Sequence, residues 1–559
     1  MDTDWGALPL EPLEHIFRQL KFKDRLACSL VCQHWNRTLF CCPALARGIV
    51  LGISGDQPAQ VREALRASQR NYRQLSIVLG GDDDQPDNGS VNEFLTEVVG
   101  LWNVQNVSVV GEPTSLLDCF RSNEALFGGI TELSLELTKN IDWSPFGKQD
   151  VTMGELKKLH YLQMYLGRER VSTAFRLIVP KLESAGIVLD SMANEEALYW
   201  EDPLIDLEGC DKMVSLEVDL NTTMWEPFFA VDRPHLERLL IRRASDEFQE
   251  RDWDRIFQHM PNLRDVEMVF SSDVMLASLK RNCKKLEKLV LNGFCFHNGS
   301  FASNMGWSAT LKQLFMDGWL NGGVYSRDPS LNLSALEDLQ WKYVELTPAQ
   351  GYFTLIAPKL RKLTLRGCDY KRFHLEVGPH LDRVDIDYYG PQQFAPNFFS
   401  SLHAVTQLIL HINGDSFRIV QHLTYTLQLQ RLEMICGTEH RGYEINDLFT
   451  AFVKHCPLLE ELTVRNEHEN QLKLNYEAFA LLEGLKLLRL LTFQYITLTN
   501  VCGAAIRMER LDRLDVSGCR VQDPHGMLAG RFPIDGHVAA TENMEWTKVS
   551  VWDNNQRNF

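Results

Sequence analysis

One six-residue template, apolar-x-x-apolar-x-apolar, returns along almost the whole chain and restricts its fold more than any other feature. It stands at Tyr72/Leu75/Ile77, Val104/Val107/Val109, Ile130/Leu133/Leu135, Leu156/Leu159/Tyr161 and Met213/Leu216/Val218. It continues at Leu236/Leu239/Ile241, Leu263/Val266/Met268, Leu286/Leu289/Leu291, Leu311/Leu314/Met316 and Leu336/Leu339/Trp341. Further copies are Leu360/Leu363/Leu365, Leu381/Val384/Ile386, Val405/Leu408/Leu410, Leu429/Leu432/Met434 and Leu459/Leu462/Val464. The last are Leu485/Leu488/Leu490, Leu511/Leu514/Val516 and Trp546/Val549/Val551, with a weaker copy at Leu182/Ala185/Ile187. Successive copies lie 21 to 35 residues apart, with a mean near 26. The closing apolar-x-apolar has the period of a strand, so its apolar residues enter one interior while the x residues face outward. No unit of this size can bury its own apolar face, so the units must stack on one another.

The period and the template resemble those of leucine-rich repeats. Returns to the next strand often end in a Pro, as in Arg233-Pro-His-Leu, Met260-Pro-Asn-Leu, Ala357-Pro-Lys-Leu, Gly378-Pro-His-Leu and Cys456-Pro-Leu-Leu. Proline stops a helix and biases the residue before it toward extended geometry. Gly367-Cys368 and Gly518-Cys519 stand where such repeats place a turn-filling residue. Short helices are expected over Asp252 to Met260 and Leu448 to His455. The resemblance implies an α/β fold: a curved solenoid with a concave parallel sheet and convex helices and loops.

The N-terminus follows a different rule. Leu13, Ile16, Phe17 and Leu20 stand at i, i+3, i+4 and i+7, on one face of a short helix. Pro12 falls in its first turn, where proline is tolerated. A second helix, with Asp24 as its expected cap, carries Leu26 and Leu30, and a third carries Trp35 and Leu39. Three helices this short leave apolar surface that needs covering, by the rest of this chain or by another protein. The order and spacing of Leu8-Pro9, Glu11, Leu13, Ile16-Phe17, Leu20, Asp24, Leu26, Ser29-Leu30-Val31-Cys32 and Trp35 resemble the F-box. Pro12 departs from that pattern, where an aliphatic residue is usual. The resemblance implies docking onto Skp1 within a cullin-RING ligase, through Leu8, Pro9, Leu13, Ile16, Phe17, Leu20, Leu26, Leu30, Val31 and Trp35. Expected boundaries are an F-box over 1–44, a linker and N-terminal cap over 45–71, the solenoid over 72–552 and a tail over 553–559.

Composition narrows the partners. Lys and Arg number 57 against 74 Asp and Glu, for a formal charge of −17. That balance disfavours nucleic acid and anionic membrane, both of which need local positive charge. The sequence has neither a transmembrane run nor a signal peptide. Its 13 cysteines are scattered without a C-x-x-C pair, as expected of reduced thiols in the cytoplasm or nucleus. No nucleotide-binding, hydrolase or metalloprotease motif is present, so no catalytic residue, metal site or cofactor is expected. The acidic stretch Gly80 to Ser90 lacks the spaced ligands of a calcium loop and reads as solvated surface.

The concave face is left to carry recognition. Aligning the strands gives one outward row through Arg238, Asp265 and Lys288, then Asp338 and Lys362. Another pairs Asp219 with Arg242, Asp317 with Lys342 and Arg366 with Asp387. Signs alternate, as cross-strand ion pairs require. Val290 and Phe315 sit outward on adjacent strands, and an outward aromatic beside an aliphatic is a candidate hot spot. The expected substrate contacts are Arg242, Val290, Phe315, Lys342 and Arg366. The resemblance implies a non-catalytic substrate receptor of an SCF ubiquitin ligase. The alternative is a scaffold that binds Skp1 and a partner without ubiquitination. A receptor needing a small ligand would require a basic pocket, and the alternating signs give no clear one.

Overall fold

The computed structural model of the chain describes residues 8–522, other than 43–44, 46–48, 56–58, 67–69, 71, 81–87, 99–100, 139–148, 166–174, 192–204, 208, 220–228, 244–247, 296–300, 308, 319–322, 327–329, 349–350, 368–370, 389–397, 413–427, 438–443, 468–471, 500–507, 509 and 517–518. The chain falls into two compact units, Met1–Met268 and Val269–Phe559. The first opens with three helices, α1 (Leu10–Gln19), α2 (Phe22–Ser29) and α3 (Gln33–Cys41). Parallel strands follow: β1 (Val50–Ser54), β2 (Gln74–Val78), β3 (Asn106–Gly111), β4 (Glu132–Leu137), β5 (Lys158–Tyr165), β6 (Ser184–Ser191), β7 (Ser215–Asp219), β8 (Arg238–Arg243) and β9 (Asp265–Ser272). Each pairs with the next in this order. In the second unit the ladder runs β10 (Lys288–Cys295), β11 (Gln313–Asp317), β12 (Asp338–Lys342), β13 (Lys362–Arg366) and β14 (Arg383–Tyr388). It continues through β15 (Gln407–Ile412), β16 (Arg431–Cys436), β17 (Glu461–Asn466), β18 (Leu490–Gln494) and β19 (Arg513–Asp515).

The register explains the template. Leu314, Leu339, Leu363, Val384 and Leu408 are aligned across successive strands, and all are buried. Their apolar neighbours two residues on are aligned and buried in the same way. Each strand thus lays two side chains into a continuous interior, and the residues between them line the opposite, open face. Helices close the interior in several repeats: Glu250–Phe257 buries Trp253, Ile256 and Phe257, and Glu444–His455 buries Leu448, Phe449 and Phe452.

Four details depart from the sequence expectations. The sheet begins at β1, inside the segment read as linker and cap, because Ile53 already supplies a buried position beside Ile77. The copy placed at Leu485/Leu488/Leu490 is displaced by three residues. Leu491 and Phe493 are the buried, registered pair opposite Leu462 and Val464, while Leu490 faces outward, half-buried. Apolar residues at Leu485, Leu488 and Leu491 fit the template in two frames, and burial of Phe493 selects one. Asp24 does not cap α2; Lys21 holds that position and Asp24 lies in the first turn. Several returns are strands, not helices, as in the parallel ladder Ser330–Asn332, Phe353–Ala357 and Phe373–Val377. Leu339, Leu363 and Val384 share one register position at spacings of 24 and 21 residues, and the returns between them run as strands. The expected copy at Trp546/Val549/Val551, the tail, the core of the acidic stretch and most of the insertion after Arg520 lie outside the described residues.

Candidate docking surfaces

The helical segment divides its apolar residues between two jobs. Leu13 and Phe17 point inward from α1 and are fully buried, and the Trp35 ring meets Phe17 edge to face at 5.4 Å. Arg25 closes the end of α1 by donating from Nε to the Leu20 carbonyl at 3.0 Å. His34 Nε2 donates to the Leu8 carbonyl at 2.8 Å, and the Cys32 thiol caps α3 by accepting from the Trp35 N–H at 3.5 Å. The Arg25 and Cys32 bonds satisfy helix-end groups that would otherwise need water. The remaining apolar residues point away. Leu30 is 79% and Val31 62% exposed in the turn between α2 and α3, and Leu10, Ile16 and Leu26 are exposed as well. Pro9 is exposed, while Leu8, Leu20 and Trp35 are half-buried. The ten residues expected to form one surface are therefore a small core of Leu13, Phe17 and part of Trp35, and an outer face built around Ile16, Leu26, Leu30 and Val31. The i, i+4 pairing of Leu26 and Leu30 was legible in the sequence, but not which stripe the segment would keep for itself.

This segment is tied to the first repeats. The Arg70 guanidinium lies 4.6 Å above the Phe40 ring and its Nε donates to Asn36 Oδ1 at 3.1 Å. Phe40, Tyr72 and Trp102 then follow edge to face, with centroids 5.6 and 4.9 Å apart, and Phe94 packs on Trp102. The chain of rings joins α3 to the start of the ladder.

On the open face of the first unit, β1 to β8 line a groove of about 480 Å³. Its floor is made of small or polar side chains: Ser108, Ser134, His160 and Gly186 occupy matching positions in β3 to β6. Its charges are paired internally. Glu132 accepts from Asn106 at 2.8 Å and from Lys158 at 2.7 Å, and Arg238 lies 3.6 Å from Asp265. Arg242 does not align with Asp219; the register shifts there, Asp219 opposes Arg243, and Arg242 bonds Glu217 instead. Arg242 belongs to this unit, and the other four expected substrate contacts belong to the second.

In the second unit Val290 and Phe315 are register partners on β10 and β11, with Val290 nearly buried and Phe315 half-buried. Lys342 and Arg366 are register partners on β12 and β13. Arg366 reaches diagonally past Asp387 to Asp385, donating from Nε at 3.1 Å and from its terminal nitrogen at 2.7 Å. That two-pronged geometry outweighs simple cross-strand alignment. Asp387 accepts instead from the Gly367 backbone N–H at 2.8 Å. His411 completes the group: its Nε2 is 3.5 Å from Asp385, and its Nδ1 is 4.0 Å from both Asp387 and Glu467. Burial pushes the Asp385 carboxyl up, but the nearby His411 ring and the two bonds from Arg366 prevail and hold it below the usual range. Burial also raises the Asp387 carboxyl, and the Gly367 bond and nearby charges do not fully offset it. Above the group stands Tyr343, 54% exposed, whose ring lies against Gly367. Tyr343 adopts φ 53°, in the left-handed region where Gly367 and Gly293 stand in other repeats. Asp385, His411, Tyr343 and Glu467 were not singled out from the sequence. The available signal was Tyr343 itself, a bulky residue where glycine would be expected.

Among the described residues no group of three or more His, Cys, Asp and Glu side chains could hold a metal ion. The buried thiols of Cys119, Cys283, Cys436 and Cys519 are each pushed up to about 12, first of all by burial, and so stay protonated. No helix among the described residues is long and apolar enough to cross a membrane.

Residues 5–39 match the family model of the F-box domain. Over 34 residues the chain is 59% identical to the F-box/SPRY domain-containing protein 1 of Danio rerio, a stretch covering 6% of this chain and 12% of that protein. The crystal structure of an internalin from Listeria monocytogenes aligns over 86% of this chain and 97% of its own, at 12% identity and a TM-score of 0.23, too slight a likeness to carry an argument. The match of sequence and the three helices that realise it agree: the chain carries an F-box domain at its N-terminus, ahead of stacked parallel-strand repeats.

Proposed function

We propose that the protein is the substrate-recognition subunit of an SCF ubiquitin ligase, docking Skp1 through α1 to α3 and a protein substrate on the open face of its strands. The observation that carries this reading is the exposed apolar turn Leu30-Val31, together with exposed Ile16 and Leu26, on a segment whose own core is already filled by Leu13 and Phe17. Solvating two adjacent aliphatic side chains to this extent is unfavourable, and a partner that covers them recovers the transfer free energy. The chain itself supplies recognition; ubiquitin transfer belongs to the RING subunit and its E2 bound through the cullin. The described cysteines that are free thiols suit a reducing compartment, and we place the protein in the cytoplasm or nucleus.

The test is Leu30→Asp with Val31→Asp, which puts two charges into the docking face without touching the segment's core. Skp1 and cullin co-purification should be lost while the thermal transition stays unchanged. Undiminished Skp1 capture by this variant would overturn the assignment. Accumulation of a bound protein after depletion of the wild-type chain separates a ligase receptor from a scaffold.

A further inference from the structure

Three carboxylates, Asp385, Asp387 and Glu467, surround His411 in the second unit, and among the described residues Arg366 is the one cation bonded to them. Neither Lys342, the register partner of Arg366, nor Arg465 forms an ion pair with any of them among the described residues. Asp385 spends its charge on Arg366. Asp387 has no such partner. It is 8% exposed and takes the Gly367 N–H on Oδ2, while His411 Nδ1 stands 4.0 Å from Oδ1, too far for a hydrogen bond. A carboxylate this deeply placed, with one oxygen accepting nothing, is short of a donor. Oδ1 is not among the fully buried unsatisfied atoms, so it keeps some solvent contact.

We propose that this cluster is the anchor point for a basic side chain, Lys or Arg, of the protein substrate: the cation bonds Asp387 and Glu467, and its aliphatic stem lies along Tyr343. The inference rests on the reading of the open face as the substrate surface and names the chemistry that surface selects. Three features converge on it. The charge is complementary, two carboxylates being left over once Arg366 is paired. The aromatic shelf is in place, because Tyr343 is exposed and pressed on Gly367, the same residue whose N–H fixes Asp387. The site is rigid, since Asp387 is on a central strand with neighbours paired on both sides. An acidic or phosphorylated segment would meet repulsion from the same two carboxylates.

The experiment uses the full chain in complex with Skp1 and fluorescein-labelled short peptide pools. One position is fixed as Arg, Lys, citrulline or norleucine, and the randomised positions omit charged residues. Anisotropy should show the Arg and Lys pools binding about tenfold more tightly than the citrulline and norleucine pools. Asp387→Asn keeps an acceptor for the Gly367 N–H but removes the charge, and should bring the four pools within about twofold of one another. Glu467→Gln, at a side chain 48% exposed, gives the same reading should the first variant not fold. Equal binding of all four pools by the wild-type complex overturns the proposal, as does selectivity that survives both substitutions. Skp1 capture is scored in the same preparations: its loss counts against the receptor reading, whereas intact capture without basic selectivity removes only this site.

Discussion

Asp385 and Asp387 sit two residues apart on one strand, are equally buried, and have opposite effects on stability. Asp385 titrates below the usual carboxylate range when folded, so its bonds to Arg366 and its closeness to His411 stabilise the fold at neutral pH. That contribution is lost as pH falls through the lowered folded value. Asp387 titrates above the usual range, so its ionised form is the costly one, and that cost is relieved as pH falls through the raised value. Urea unfolding at pH 7 should therefore show Asp385→Asn losing about 2 kcal/mol, because Arg366 is left half-buried beside a neutral amide. Asp387→Asn should be neutral or slightly stabilising. Equal losses for the two would contradict the assignment of partners. The outward facing of both aspartates could be read from the strand period. Which of them Arg366 would choose could not, because a diagonal reach depends on side-chain length and burial rather than on sequence spacing.

At the scale of elements, strand positions were legible wherever one frame of the template fitted, since burial on one face fixes register. The frame failed at Leu490, in a run where leucines recur every third residue and only the tertiary burial of Phe493 decides. It also missed β1, where Ile53 alone of five residues is buried and no alternation precedes it. In α1 the period identified the right face but merged two surfaces. The distinction predicts different failures from neighbouring residues. Phe17→Ala removes a fully buried ring that packs on Trp35 and should cost about 3 kcal/mol or more, melting the helical segment. Ile16→Asp lies outward and should leave helix content and melting temperature within a degree or two while weakening Skp1 capture. Circular dichroism beside the pull-down separates the two. If Ile16→Asp unfolds the segment, the exposed face is part of its core and the division is wrong.

For the whole molecule, the two proposed contacts lie in different compact units: the F-box face in Met1–Met268, the Phe315 and Asp387 surfaces in Val269–Phe559. Stacked repeats pass energetic effects mainly to nearest neighbours. Substitutions at the two contacts have no shared partners, so their effects should add rather than couple. Phe315 is half-buried beside nearly buried Val290, which leaves part of its ring for a partner without exposing enough to destabilise the sheet. Phe315→Ala should cost on the order of 2 kcal/mol in substrate capture if the ring anchors the partner, and leave Skp1 binding untouched. Leu30→Asp with Val31→Asp should do the reverse. A chain carrying all three substitutions should then show each deficit at its single-site size, measured as two separate dissociation constants. A triple variant that loses more Skp1 affinity than the double would mean that the face read as substrate surface also supports the F-box. Loss of substrate capture in the Leu30/Val31 variant alone would place the substrate contact at the helical end, away from the Asp387 cluster.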